Sequence, residues 1–323
     1  MHPKVLIRTV LAAAGAGAAI AVTATFLPAH GVDGDGWQSV GEGKTSGVSG
    51  IAVTGTGSVK DGVDAIVVRD NKKSDENRIS SVTYEEGKDP EVEPLEWEGD
   101  PLPSDLESLD NVPGEQGGYL AVASSGTAYH LQVADGAAKV VDTFTLPALE
   151  SGDEIENLAL GAPPASAGAT AQEGKLVAVW GDRGEDDRPG MLHAAPVSFD
   201  SAGKAEFGEV QSAEVRAPYP TEKVRHASDT KITKSGALLV SSASDPGDDG
   251  PFDSAVYTAG RVTLSDSGAV TLSVAKDPEA LKNFEGHKIE SLACLPGSDD
   301  AVLGTDDEND GGSVATVDGL CAD

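Results

Sequence analysis

The 323 residues carry 54 acidic and 23 basic side chains, a formal net charge of −31, which excludes a nucleic-acid binder that works by neutralising phosphates. The 39 glycines and 18 prolines suit many short strands and turns rather than a helical bundle. A hydrophobic content of 39% is enough for a core and excludes wholesale disorder, and the length admits one large β domain or two ordinary ones.

The chain opens with Lys4 and Arg8, followed by an uncharged stretch from Thr9 to Pro28 whose centre, Val10–Val22, is rich in Ala and Gly. Small residues at Ala24 and Ala29 follow. This pattern predicts a secretory signal peptide over residues 1–29. The alternative is an uncleaved N-terminal anchor, because the uncharged run is long enough to span a bilayer. Both readings place residues 30–323, expected as one domain, outside the cytoplasm, with no other membrane segment and no nucleic-acid partner. Loss of Lys4 and Arg8 would take the formal charge to −33. Such a surface stays soluble and attracts cations. Cys294 and Cys321 are the two cysteines, and in an exported chain an even count predicts a disulfide between them.

A repeat runs through the remainder. Five segments look alike: Val48–Val53, Leu106–Asp110, Ile155–Leu160, Ala227–Thr233 and Ile289–Leu295. Ile51, Leu109, Leu158, Thr230 and Leu292 take equivalent places, at spacings of 58, 49, 72 and 62 residues. A second strand-like run follows each (Ala65–Asp70, Tyr119–Ser125, Leu176–Gly181, Leu238–Ser242, Ala301–Asp306), and then a third (Arg78–Tyr84, Thr127–Val133, Met191–Val197, Ala255–Val262, Ser313–Val317). Four units add a fourth run: Val92–Trp97, Val141–Leu146, Phe207–Ser212 and Val270–Val274. Four short strands at this period predict an all-β fold, a β-propeller of five blades, or six if the long third unit conceals another. The fifth unit lacks a fourth run, and Trp37–Val40 is free to supply it and close the ring, since an open ring would expose two strand edges. Only Asp277–Asn283 has helical periodicity.

In a propeller the first strand of each blade lines the central channel. Its entry shares one face with the end of the second strand. Glu107, Glu156, Asp229 and Glu290 therefore map to the channel mouth as candidate metal ligands. Asp70, Asp182, Arg183, His226, Asp245, His287 and Asp306 map around the same funnel. Like charges gathered in a channel are costly unless they bind a cation, carry water or shift their pKa. Carboxylate oxygens of this kind suit calcium better than zinc. The structural alternative is that the recurring Glu satisfies backbone donors at the blade end. His130 and His193 fall within third strands, as packed or surface residues, and no Gly-x-Ser-x-Gly elbow supports a serine hydrolase.

Ser49-Gly50-Ile51, Asp105-Leu106-Glu107-Ser108-Leu109, Ile155-Glu156-Asn157-Leu158 and Ile289-Glu290-Ser291-Leu292 resemble the blade-opening element of the phytase-like propeller family, over roughly residues 45–317. The glycine common after the Glu in that family is Ser or Asn here. Leu295–Asp300 and the strand after it are similar to calcium-activated nucleotidases. These resemblances imply calcium-assisted phosphoester hydrolysis, with Arg183, Arg225, Lys231 and Lys288 offsetting phosphate charge. No motif forces a reaction, so the reading that leads is an exported binding or scaffold propeller, monomeric, with an extracellular ligand or protein partner and a divalent cation in its channel. Calcium-dependent hydrolysis is the alternative. An aromatic content of 4% argues against a glycosidase with stacked sugar subsites.

Overall fold

The computed structural model describes residues 36–55, 62–85, 87–164 and 175–322. The expected signal or anchor, and most of the Pro/Ala/Gly loop near Ala162–Ala171, lie outside the described residues. Among the described residues no helix is long and apolar enough to cross a membrane.

Five sheets form five blades. Blade 5 closes the ring: β1 (Gln38–Gly41) pairs antiparallel with β23 (Gly312–Val317), outside β22 (Ala301–Thr305) and β21 (Ile289–Cys294). Blade 1 is β2 (Gly50–Val53), β3 (Val63–Val68), β4 (Ile79–Tyr84) and β5 (Glu91–Pro94). Blade 2 is β7 (Leu106–Asn111), β8 (Gly118–Ala123), β9 (Thr127–Ala134) and β10 (Ala137–Thr145), with β6 (Glu96–Glu98) added parallel to β10. The predicted run Val92–Trp97 is thus divided: it leaves blade 1 after Pro94 and joins blade 2, tying the two together.

Blade 3 holds β11 (Ile155–Gly161), β12 (Leu176–Asp182), β13 (Gly190–Phe199), β14 (Ala205–Phe207) and β15 (Gln211–Val215). Its extra length goes into a split outer strand rather than a sixth blade. β14 pairs with the end of β13 and β15 with its start. Blade 4 repeats the device. β16 (Val224–Ile232), β17 (Ala237–Ser244) and β18 (Asp253–Leu264) are followed by β19 (Val270–Val274) and β20 (Ala280–Glu285), both on β18. Asp277–Asn283 therefore does not form the helix its periodicity suggested. The long edge of β18 offers unpaired backbone groups, and a second ribbon satisfies them.

The middle strands are apolar on both faces, as the fully buried β8 illustrates. Five apolar clusters lie between neighbouring blades, one at each of the five junctions. Ile51 and Val302 meet at the junction of blades 5 and 1. Trp180 and Leu120 meet between blades 2 and 3. Cys294 and Cys321 form the expected disulfide, pinning the C-terminal turn to β21. First-strand side chains also bond across blades. The Leu158 amide donates to Ser108 Oγ (3.0 Å), the Leu160 amide to Asp110 (2.8 Å) and the Leu292 amide to Asp229 (2.8 Å). Blade 1 has Gly50 at this level because a Cβ there would stand 2.6 Å from the Leu109 nitrogen.

Candidate functional site: an acidic funnel

Glu107, Glu156 and Glu290 occupy one structural position. Pairing runs Leu106–Ala123 then Ser108–Val122, Ile155–Asp182 then Asn157–Gly181, and Ile289–Thr305 then Ser291–Gly304. In each first strand the Glu is the bulged residue, left out of the ladder. A bulge bends its strand and re-aims one side chain. Here it turns three carboxylates into a funnel of about 320 Å³. The equivalent residues of blades 1 and 4 are Ser49 and Ser228.

The funnel wall is entirely polar, with eight carboxylates against four cations. Two of the three ring glutamates are engaged. Arg183 bonds Glu156 at 3.0 Å and also pairs with Glu154. Arg225 reaches Glu156 (3.4 Å), Glu290 (3.0 Å) and Asp245 (2.6 Å). Lys288 bonds Glu290 (3.0 Å) and Glu308 (2.6 Å). Burial alone would lower the Arg225 and Lys288 pKa values, but these carboxylates hold both above the ordinary range.

Glu107 differs. It is 8% exposed and has no hydrogen-bonding or ionic partner among the described residues. Burial, then the charges of Glu156 and Glu290, push its pKa well above the usual carboxylate range. Burial and Glu290 lift Asp70, across the mouth, to about 6. Asp306 is raised by burial and by Glu290 as well.

The other predicted residues are placed as follows. Asp70, Glu107, Glu156, Arg183, Glu290 and Asp306 share the funnel, and Asp245 joins it through Arg225. Asp229 sits deeper, fully buried. It accepts from Ser108 Oγ and the Thr230 amide and faces Lys231 at 3.5 Å. Lys231 also donates to the carbonyls of Leu109 and Leu158, both at 3.2 Å. This layer forms the floor below the ring. Asp182 faces a neighbouring cleft and bonds Arg188 and the amides of Gly184 and Glu154. His226 is held by the Ala217 amide and donates to the Asp186 carbonyl (2.8 Å), outside the funnel. His287 bonds Asp307 (2.9 Å) and packs on Trp37, also outside it.

Asp105, Glu154 and Glu308 also line the wall. The repeat carried a signal for the first two: in an extended chain the residue two before each bulged Glu points the same way. That rule finds Asp105, Glu154 and Lys288. As they stand, the ring residues do not assemble a calcium donor set. Glu156 and Glu290 hold Arg225, Asp229 belongs to the floor, and Glu107 and Asp70 fall short of the six to eight oxygens calcium takes. Among the described residues, no group of three or more His, Cys, Asp or Glu side chains gathers as metal ligands would.

No protein-family model and no curated protein sequence matches the chain. Solved structures resemble the chain only at low identity and with TM-scores below 0.5. A GH43 β-1,3-galactosidase is 9% identical with a TM-score of 0.46, covering 87% of this chain and 94% of its own. Sqt1 from Saccharomyces cerevisiae is 11% identical (TM-score 0.32, 83% of this chain and 60% of that one). A 6-phosphogluconolactonase-like protein from Bacteroides uniformis is 12% identical (TM-score 0.35, 72% and 57%). The chain thus spans about three fifths of the length of the latter two. Fold and site together define a five-bladed β-propeller with an acidic, closed-floored funnel.

Proposed function

We propose that this chain is an exported binding propeller whose funnel takes up a small, hydrophilic, positively charged ligand through Glu107, assisted by Asp70. The observation that carries the reading is the unpartnered, buried Glu107 carboxylate at a position where its two counterparts are each held by cations. An amine or guanidinium against Glu107 would complete the pattern that Arg225 sets for Glu156 and Glu290. The all-polar wall disfavours an apolar ligand, and the disulfide supports an oxidising compartment. Phosphoester hydrolysis draws less support, because Arg183, Arg225 and Lys288 are already paired with carboxylates.

Thermal unfolding tests this with three probes added separately: N-acetylarginine amide, cadaverine and calcium chloride. A ligand of the native state alone raises the midpoint with concentration. A rise with either organic cation, lost in Glu107→Gln, is the expected result. A rise with calcium alone would favour the divalent-cation reading. No rise with any probe would overturn both.

A further inference from the structure

A second cavity, about 720 Å³, lies in blade 3 beside the funnel. Its wall mixes Leu149, Pro189 and Met191 with Ser151, Ser212 and Glu214. On its floor His193 bonds Ser212 Oγ at 2.7 Å. The two cavities share a ridge one residue thick. Asp153 and Asp182 line the outer cleft, while the next residues along the chain, Glu154 and Arg183, line the funnel. The ridge is neutralised internally, since Arg183 pairs with Glu154 and Arg188 with Asp182. Among the described residues, the carboxylates with no hydrogen-bonding or ionic partner lie on either side: Glu107 and Asp70 in the funnel, Glu150 and Glu214 in the cleft.

We infer that funnel and cleft are two subsites of one site for a basic peptide segment. A Lys or Arg side chain would enter the funnel, and an adjoining apolar residue and its peptide backbone would lie in the cleft. This rests on the funnel reading above and extends it. Mixed apolar and hydrogen-bonding walls suit a peptide better than a bare polyamine, and the volume lies within the usual range for ligand clefts. The chain's excess of negative charge complements a basic partner.

The test is isothermal titration with N-acetyl-leucyl-leucyl-arginine amide and, separately, N-acetylarginine amide. Each is titrated into the full exported domain and into Ser151→Trp and Glu214→Lys, two exposed cleft substitutions whose folding is checked by their unfolding midpoints. The peptide should bind about tenfold more tightly than arginine amide. Both cleft variants should erase that margin and leave arginine amide affinity unchanged. Equal affinity of the two probes, or a margin that survives both variants, would overturn the bipartite site while leaving the funnel intact. Failure of both probes to bind would remove the funnel reading itself, and this inference with it.

Discussion

Glu107, Asp70, Asp306 and Asp229 make the fold sensitive to alkali. Burial raises all four, with Asp70 and Asp229 pushed to about 6. The native state therefore keeps protons that the unfolded chain releases near pH 4, so these groups contribute stability below about pH 4 that is lost as pH rises through 6 and above. Asp245 acts in the opposite sense. Burial would raise it, but Arg225 holds it below the ordinary range, so its contribution disappears in acid. The unfolding midpoint is expected to be highest near pH 4 and to fall as the pH rises from there towards 8. Glu107→Gln should raise the midpoint at pH 8 and flatten the alkaline decline. A midpoint that climbs steadily from pH 5 to 8 would contradict this assignment. Below the ring, Asp229→Asn strips Lys231 of its nearest carboxylate. Leaving a buried charge half-compensated should cost about 3 kcal/mol. Chemical denaturation should show Lys231→Met recovering part of that loss in the double variant.

At the scale of the blades, closure rests on β1 and on the Cys294–Cys321 bridge. Replacing both cysteines by serine frees a loop of 27 residues, with an expected loss of about 3 kcal/mol, read from denaturant midpoints with and without reductant. The blades themselves were legible in the sequence because three first strands share an apolar-Glu-polar-apolar pattern, with Ser in place of Glu in the other two, and each second strand is a largely apolar run. The split outer strands were not, because Phe207–Ser212 reads as one run although Gly208 interrupts it. Glu107, Glu156 and Glu290 were legible as a ring because a shared bulge acts on a shared motif. Asp229 does not belong to that ring: the equivalence of Thr230 with Leu109 puts Ser228 opposite Glu107. The true blade 4 equivalent is Ser228, and Asp229 aligns with Ser108, one layer down. No local pattern could have assigned Arg225 to Glu156 and Glu290, which lie 69 and 65 residues away. The outer cleft is likewise a product of packing, made by a loop, two strands and the second half of a divided edge.

Across the whole molecule acidic side chains outnumber basic ones, for a formal net charge of −31. Self-repulsion among exposed carboxylates opposes the compact state, and salt screens it. Added sodium chloride should therefore raise the unfolding midpoint while weakening the uptake of cationic probes. A binding site built on apolar contacts would show no such opposition. Isothermal titration of N-acetylarginine amide into the wild-type protein and into Glu107→Gln at low ionic strength tests whether Glu107 takes up a cation. Saturable binding by the wild type and a loss of about tenfold or more in the variant is the predicted result. Equal binding by the two proteins, or no binding by the wild type, would contradict it.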